Sequence, residues 1–253
     1  MNADGDDLGP LAGVDRHRRG SQFLGLFLRR RTPLAPDLLR ALSEVSVDRR
    51  TIEDGQTIVP AGPTPDHSCL LIRGAAMRSH PDPAGAPMVS ALCLPGDFMD
   101  LHAYLLDNLD HETVAVGRTV VEFVEHDVLD ALVAEYPALT RAFWRETLVE
   151  AKIHRAWVVA ASRLQASQRI AHLLCEIEVR LARVGLADQG HFSTPLDQKR
   201  MADVLGLSAV HVNRAVQELR ATDLLSWKGR AVHLSDRTQI RRFARFDPGY
   251  LDC

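Results

Sequence analysis

The chain has 253 residues, 46% hydrophobic and 25% charged, which is enough for two domains with cores of their own. Its formal net charge is -3, and no apolar run approaches the roughly 18 residues of a membrane helix, so neither a membrane span nor a strongly charged tail protein is expected. Cys69, Cys93, Cys175 and Cys253 are far apart with no C-x-x-C pair, so neither a disulfide framework nor a zinc site is indicated.

In chain order, residues 1–20 are rich in Asp, Gly and Arg without periodicity and read as a disordered tail. The acidic start is wrong for a signal peptide, so a cytoplasmic protein is expected. Arg29, Arg30 and Arg31 end a short amphipathic helix and read as a solvated face. From Thr51 to Val124 short β-type runs follow: Thr57–Val59, Cys69–Ile72, Met88–Leu94, Val114–Val116 and Thr119–Val124. Turns are expected at Gly55, Gly62, Gly74, Gly85 and Gly96, and many short strands at this spacing predict a small antiparallel roll within residues 21–137.

His102, His111 and Glu112 invite a metal reading, and a roll is also the architecture of cupin enzymes. The two histidines are nine apart, whereas cupins place theirs one residue apart, so no metal site is expected. No Ser-His-Asp, Cys-His, Walker or dinucleotide signature appears, and neither an enzyme nor a cofactor is indicated.

Residues 138–164 lack Gly and Pro and carry Leu139, Phe143, Ile153, Trp157, Ala160, Ala161 and Leu164 on one helical stripe. Such a helix, roughly 40 Å long at 1.5 Å per residue, wants a partner helix or a domain of its own to pack on.

The last part, residues 165–253, is the basic one: from Arg163 onward 14 Lys and Arg stand against 10 Asp and Glu, while 16 stand against 23 before it. Here LDQKRMADVLGLSAVHVNRAVQEL reads as two short helices around a turn. Asp197 caps the first, Gly206 ends it, and Ser208 caps the second. Val212, Val216 and Leu219 face inward on the second helix, leaving Ala209, Val210, Asn213, Arg214 and Gln217 on an exposed stripe. A plain helical hairpin with a solvated face has the same spacing. The continuation favours DNA: Leu224, Leu225 and Trp227, a basic Lys228-Gly229-Arg230 tip, then Val232 and Leu234 predict a hairpin, and so a winged helix. Arg and Asn are the side chains able to make bidentate contacts to guanine and adenine.

These features resemble the Crp/Fnr superfamily of bacterial transcription regulators, over roughly Phe23 to Leu251. The resemblance implies an α+β fold with an N-terminal antiparallel β-roll of the cyclic-nucleotide-binding type, a long dimerisation helix and a C-terminal winged helix-turn-helix. It implies a homodimer on a near-palindromic double-stranded DNA operator, with RNA polymerase as a further partner of an activator and no membrane. Arg214 matches the base-reading arginine, while Gln198 and Lys199 match phosphate contacts. Ser208, Ala209, Val210, His211, Asn213, Gln217 and Lys228 complete the expected DNA face. Val210 departs from the glutamate of the best-known members.

The segment after Pro95-Gly96-Asp97-Phe98 matches the family's effector-binding stretch. Leu101, His111 and Glu112 fall where cyclic-nucleotide binders carry a glutamate, an arginine and a small hydroxyl, and His154 and Arg155 fall at the base-contacting hydroxyls. Cyclic AMP and cyclic GMP are therefore not expected as effectors, and the cysteine cluster of the iron-sulfur members is missing too. The competing reading is an effector-binding signalling roll whose C-terminal domain mediates protein interaction.

Overall fold

The computed structural model describes residues 18–30, 32–80 and 88–252. Arg18–Gly20, assigned to the tail by composition, form β1 against Ser46–Asp48, because unpaired backbone at a sheet edge is satisfied by strand addition. The rest of the expected tail, Arg31 and Gly85 lie outside the described residues.

Two helices follow, α1 (Gln22–Arg29) and α2 (Pro36–Glu44). Ser21 caps α1 by accepting from the Leu24 N–H at 2.9 Å, and its hydroxyl donates to the fully buried Glu122 carboxylate at 2.6 Å. The apolar side of α1, Phe23, Leu24, Phe27 and Leu28, closes one core of the roll.

The roll comprises β2 (Ser46–Ile52), β3 (Thr57–Val59), β4 (Gly62–Pro63), β5 (His67–His80), β6 (Met88–Cys93), β7 (Asn108–Leu109) and β8 (Glu112–Glu125). Among the described residues the main sheet runs β1-β2-β8-β5-β6 with β3 also on β8, and all its pairs are antiparallel; β4 and β7 form a separate ribbon. Two expectations are corrected. The run Val114–Val116 and the run Thr119–Val124 are one strand, and Gly74 is no turn: β5 passes through it, with register shifts between Leu71 and Arg73 and between Arg73 and Ala75. Its φ of 92° and the 2.8 Å approach a Cβ would make to the Arg118 carbonyl oxygen leave room for glycine alone. Sequence patterning missed β2, because Asp48, Arg49 and Arg50 do not alternate with apolar residues.

After α3 (His126–Glu135), α4 (Ala138–Arg163) runs from one core to another. Leu139, Ala142 and Phe143 sit in the roll core, while Ile153 and Trp157 pack on the C-terminal core. The stripe read as a partner-helix seam therefore faces its own chain, since both ends of α4 have apolar surface of this chain to bury. The unpartnered side is another one: Trp144, Leu148, Val158 and Val159 are 66%, 53%, 70% and 61% exposed.

The C-terminal part contains α5 (Ala166–Arg183), β9 (Ala187–Asp188), β10 (His191–Ser193), α6 (Gln198–Leu205), α7 (Ala209–Ala221), β11 (Leu225–Lys228), β12 (Ala231–Leu234) and α8 (Arg237–Phe243). Glu176 of α5, 1% exposed, joins it to the rest: its carboxylate accepts from Trp157 Nε1 at 2.9 Å, Arg180 Nη1 at 2.8 Å and the Tyr250 hydroxyl at 2.7 Å. Arg180 also donates to Asp97 and to the Leu92 carbonyl of the roll. Three donors thus satisfy one buried carboxylate that ties α4, α5 and the C-terminal turn at Tyr250, and Arg180 carries the link on to the roll.

Candidate nucleic-acid interface

Asp197 Oδ1 accepts from the Arg200 N–H at 2.8 Å and starts α6. Gly206, at φ 59°, closes it in the left-handed conformation, and the chain turns directly into α7. Ser208 Oγ accepts from the His211 N–H at 3.3 Å and lies 3.0 Å from His211 Nδ1, so Ser208 serves as a cap. Val212, Ala215, Val216 and Leu219 bury the inner side of α7. Met201, Ala202 and Leu205 of α6 lie in the same core, and that packing fixes the angle at which α7 is presented.

The outer side of α7 is bare. Ala209, Val210, His211, Asn213, Arg214 and Gln217 are all exposed, Val210 to 77%. Asn213 Nδ2 donates to Gln198 Oε1 at 3.0 Å, which ties the two helices across the turn and places Gln198 beside the stripe. The Arg214 side chain is 82% exposed, and its Nε donates to Glu218 Oε1 at 3.2 Å. An exposed i,i+4 pair contributes a few tenths of a kcal/mol, so the guanidinium can exchange Glu218 for a base edge at little cost.

The hairpin β11-β12 turns at Gly229 and Arg230 beside α7, with Lys228 and Arg230 exposed at its tip. Trp227 Nε1 donates to the Gly229 carbonyl at 3.0 Å within the hairpin, and Arg220 of α7 donates to the Trp227 carbonyl, which ties the wing to the helix. Lys199, exposed at the start of α6, is the remaining expected cation. Of the expected DNA residues, Gln198 is thus joined to the exposed stripe of α7, while Lys199 and Lys228 are exposed on α6 and on the wing. Sequence reading missed Arg200: it makes two hydrogen bonds, 2.5 and 2.6 Å, to the carboxylate of Asp54 on the turn between β2 and β3, a tie across 146 residues that no local pattern signals.

The expected effector residues are only partly gathered. Leu101 and His154 line a cavity of about 490 Å³ between β6, α4, α5 and α6, whose wall also includes Arg78, Trp157 and Arg180. His111 is buried just before β8, beside Glu112, whose carboxylate accepts from the Thr57 hydroxyl at 3.2 Å. Arg155 is exposed on α4. Burial pushes the imidazoles of His111 and His154 below their usual range and that of His102 down to about 4.

Residues 168–243 match the family model of the Crp-like helix-turn-helix domain. A probable transcriptional activator of Rhizobium leguminosarum bv. viciae is 26% identical over 210 residues, covering 83% of this chain and 86% of that protein. The fumarate and nitrate reduction regulatory protein of Vibrio cholerae is 22% identical over 207 residues, covering 81% and 82%. The structure of FixK2 from Bradyrhizobium japonicum shares the fold, with a TM-score of 0.70 at 22% identity over 79% of this chain and 98% of that one. With the interface just described, these likenesses make the protein a DNA-binding transcription regulator. Its C-terminal domain matches the Crp-like helix-turn-helix, and the chain as a whole is similar to regulators of the Crp/Fnr superfamily.

Proposed function

We propose that the protein acts as a cytoplasmic homodimer, without enzymatic activity, that reads a near-palindromic operator through two copies of α7, with Arg214 and Asn213 on bases and Gln198, Lys199 and Lys228 on phosphates. The observation that carries this is the bare outer side of α4. Trp144, Leu148, Ala151, Arg155, Val158 and Ser162 recur at intervals of four and three, the heptad spacing of a two-stranded coiled coil, and the large apolar members are exposed. A second copy of the same stripe is the surface this spacing fits, and two-fold pairing along α4 sets two recognition helices about one DNA turn, 34 Å, apart. No helix among the described residues is long and apolar enough to cross a membrane, in keeping with a cytoplasmic place. As an activator, the dimer would also meet RNA polymerase.

The roll is not a cyclic-nucleotide receptor in this reading. A buried phosphate needs cations and donors, but Glu112 presents a carboxylate where the hydroxyl would stand, and Leu101 is an apolar side chain 5% exposed. Two like charges about 4 Å apart repel by roughly 4 kcal/mol at an effective dielectric near 20. The test is selection of bound fragments from genomic DNA by the purified protein, with sedimentation in parallel. Enrichment of an inverted repeat by a dimer is the expected result; enrichment of single half-sites by a monomer would sink it. Micromolar binding of either cyclic nucleotide in a calorimeter would overturn the reading of the roll.

A further inference from the structure

His80, Asp110 and His111 are brought together by the pairing of β5 with β8, which sets Ser79 opposite Glu112 and so places the end of one strand beside the start of the other. Each offers one ligand atom within 4.8 Å of the other two. Donors bound to one ion at about 2 Å lie within about 4 Å of one another, a spacing close to this one.

A second observation points to a ligand. His111 is 6% exposed, and its Nε2, buried, has no hydrogen-bond partner among the described residues. Its Nδ1 lies 2.7 Å from Asp110 Oδ1, the arrangement that fixes an imidazole with its other nitrogen turned outward as a lone-pair donor. His102 faces the same ring, centroids 5.1 Å apart, and its Nε2 is likewise buried without a partner. The two orphaned nitrogens cost desolvation that no hydrogen bond among the described residues offsets, and beside them His80 places its ring nitrogens 3.2 Å from the Asp110 carbonyl and 2.9 Å from the Ser90 hydroxyl.

We propose that this cluster is a binding site for one divalent first-row transition-metal ion, held by His111 Nε2, His102 and His80, with the Asp110 carboxylate fixing the His111 ring from its other nitrogen. Imidazole donors suit zinc, cobalt or nickel and do not suit calcium or magnesium. The Asp110 side chain is 80% exposed and gives the ion its way in. Two residues before His80, Arg78 pairs with Glu150 of α4, so an ion here changes the charge beside the tie between roll and helix. As an input to operator binding the site rests on the DNA reading above; as a metal site it does not.

The test is calorimetric titration of the chelator-stripped full chain with zinc sulfate. One ion per chain at micromolar affinity or tighter is expected, weakened more than about tenfold in His80→Asn and in Asp110→Asn, with His233→Asn unchanged. Both test residues lie toward solvent, so these variants should keep the parent melting temperature without metal, and His111→Gln adds a third where it folds. Absence of saturable uptake, or uptake equal in the parent and both variants, would overturn the site. Uptake is read without DNA, so its failure leaves operator binding untouched, and failure to bind any duplex leaves the metal measurement untouched.

Discussion

The helices α4 and α7 are both amphipathic, yet each leaves a different kind of side uncovered. Helix α7 buries Val212, Ala215, Val216 and Leu219 and shows solvent Asn213, Arg214 and Gln217, whereas α4 buries Leu139, Phe143 and part of Trp157 and still shows Trp144, Leu148 and Val158. A polar uncovered side suits a polar partner and is stable in water meanwhile; a large apolar one costs free energy until something covers it. In the function proposed above, the same amphipathic pattern serves duplex recognition in one helix and self-association in the other, and the residues on the far side decide which.

The largest effect is expected at the inner side of α4, where its contacts are buried. Glu176→Ala removes the acceptor shared by Trp157, Arg180 and Tyr250, leaving the Arg180 guanidinium, 6% exposed, with one carboxylate fewer. The loss should be about 3 to 5 kcal/mol in urea unfolding. By the same logic Trp157→Glu sets a carboxylate against Glu176 and should unfold the chain rather than split a dimer.

On the outer side the expected outcome is the reverse. Leu148→Glu should change chain stability by less than about 0.5 kcal/mol while weakening the dimer roughly 100-fold, read by sedimentation equilibrium. Dimers of unchanged affinity would mean that the exposed apolar side of α4 is not the seam.

Helix α7 should respond in DNA binding alone. Arg214→Ala should cost about 1 to 3 kcal/mol on the selected operator and little on random duplex, whereas Lys199→Ala and Lys228→Ala weaken both. Equal loss on both duplexes for Arg214→Ala would move that residue to the phosphates.

The smallest effect belongs to the tie between Asp54 and Arg200. Hydrogen bonding from the Arg200 side chain, then from the Gly117 backbone N–H, holds the Asp54 carboxyl below its usual 3.8. Because the folded value is the lower one, the contact adds stability above the ordinary carboxylate range and loses it as pH falls through the depressed value. The side chain is about half exposed, so screening keeps the contribution well under about 1 kcal/mol. Asp54→Asn should thus leave unfolding at pH 7 nearly unchanged and flatten its dependence on pH below 4, as followed by circular dichroism.

The DNA-reading end was legible in the sequence because its signals are local. Caps at Asp197 and Ser208, the Gly206 turn, the spacing of Val212, Val216 and Leu219 and the two-residue hairpin turn all lie within a few residues of what they organise. The same holds for the length of α4 and for most strands of the roll. What only the tertiary structure decided depends on residues far apart in the chain. Which stripe of α4 is buried was settled by two cores of its own chain, and the roll's central pairing joined two long strands that glycines seemed to break. Likewise the histidine pair considered from sequence, His102 and His111, gained its third member, His80, only when β5 and β8 paired across a separation of 30 residues. Periodicity reports a side chain's direction relative to its own helix or strand, but which surface meets it is set by long-range packing.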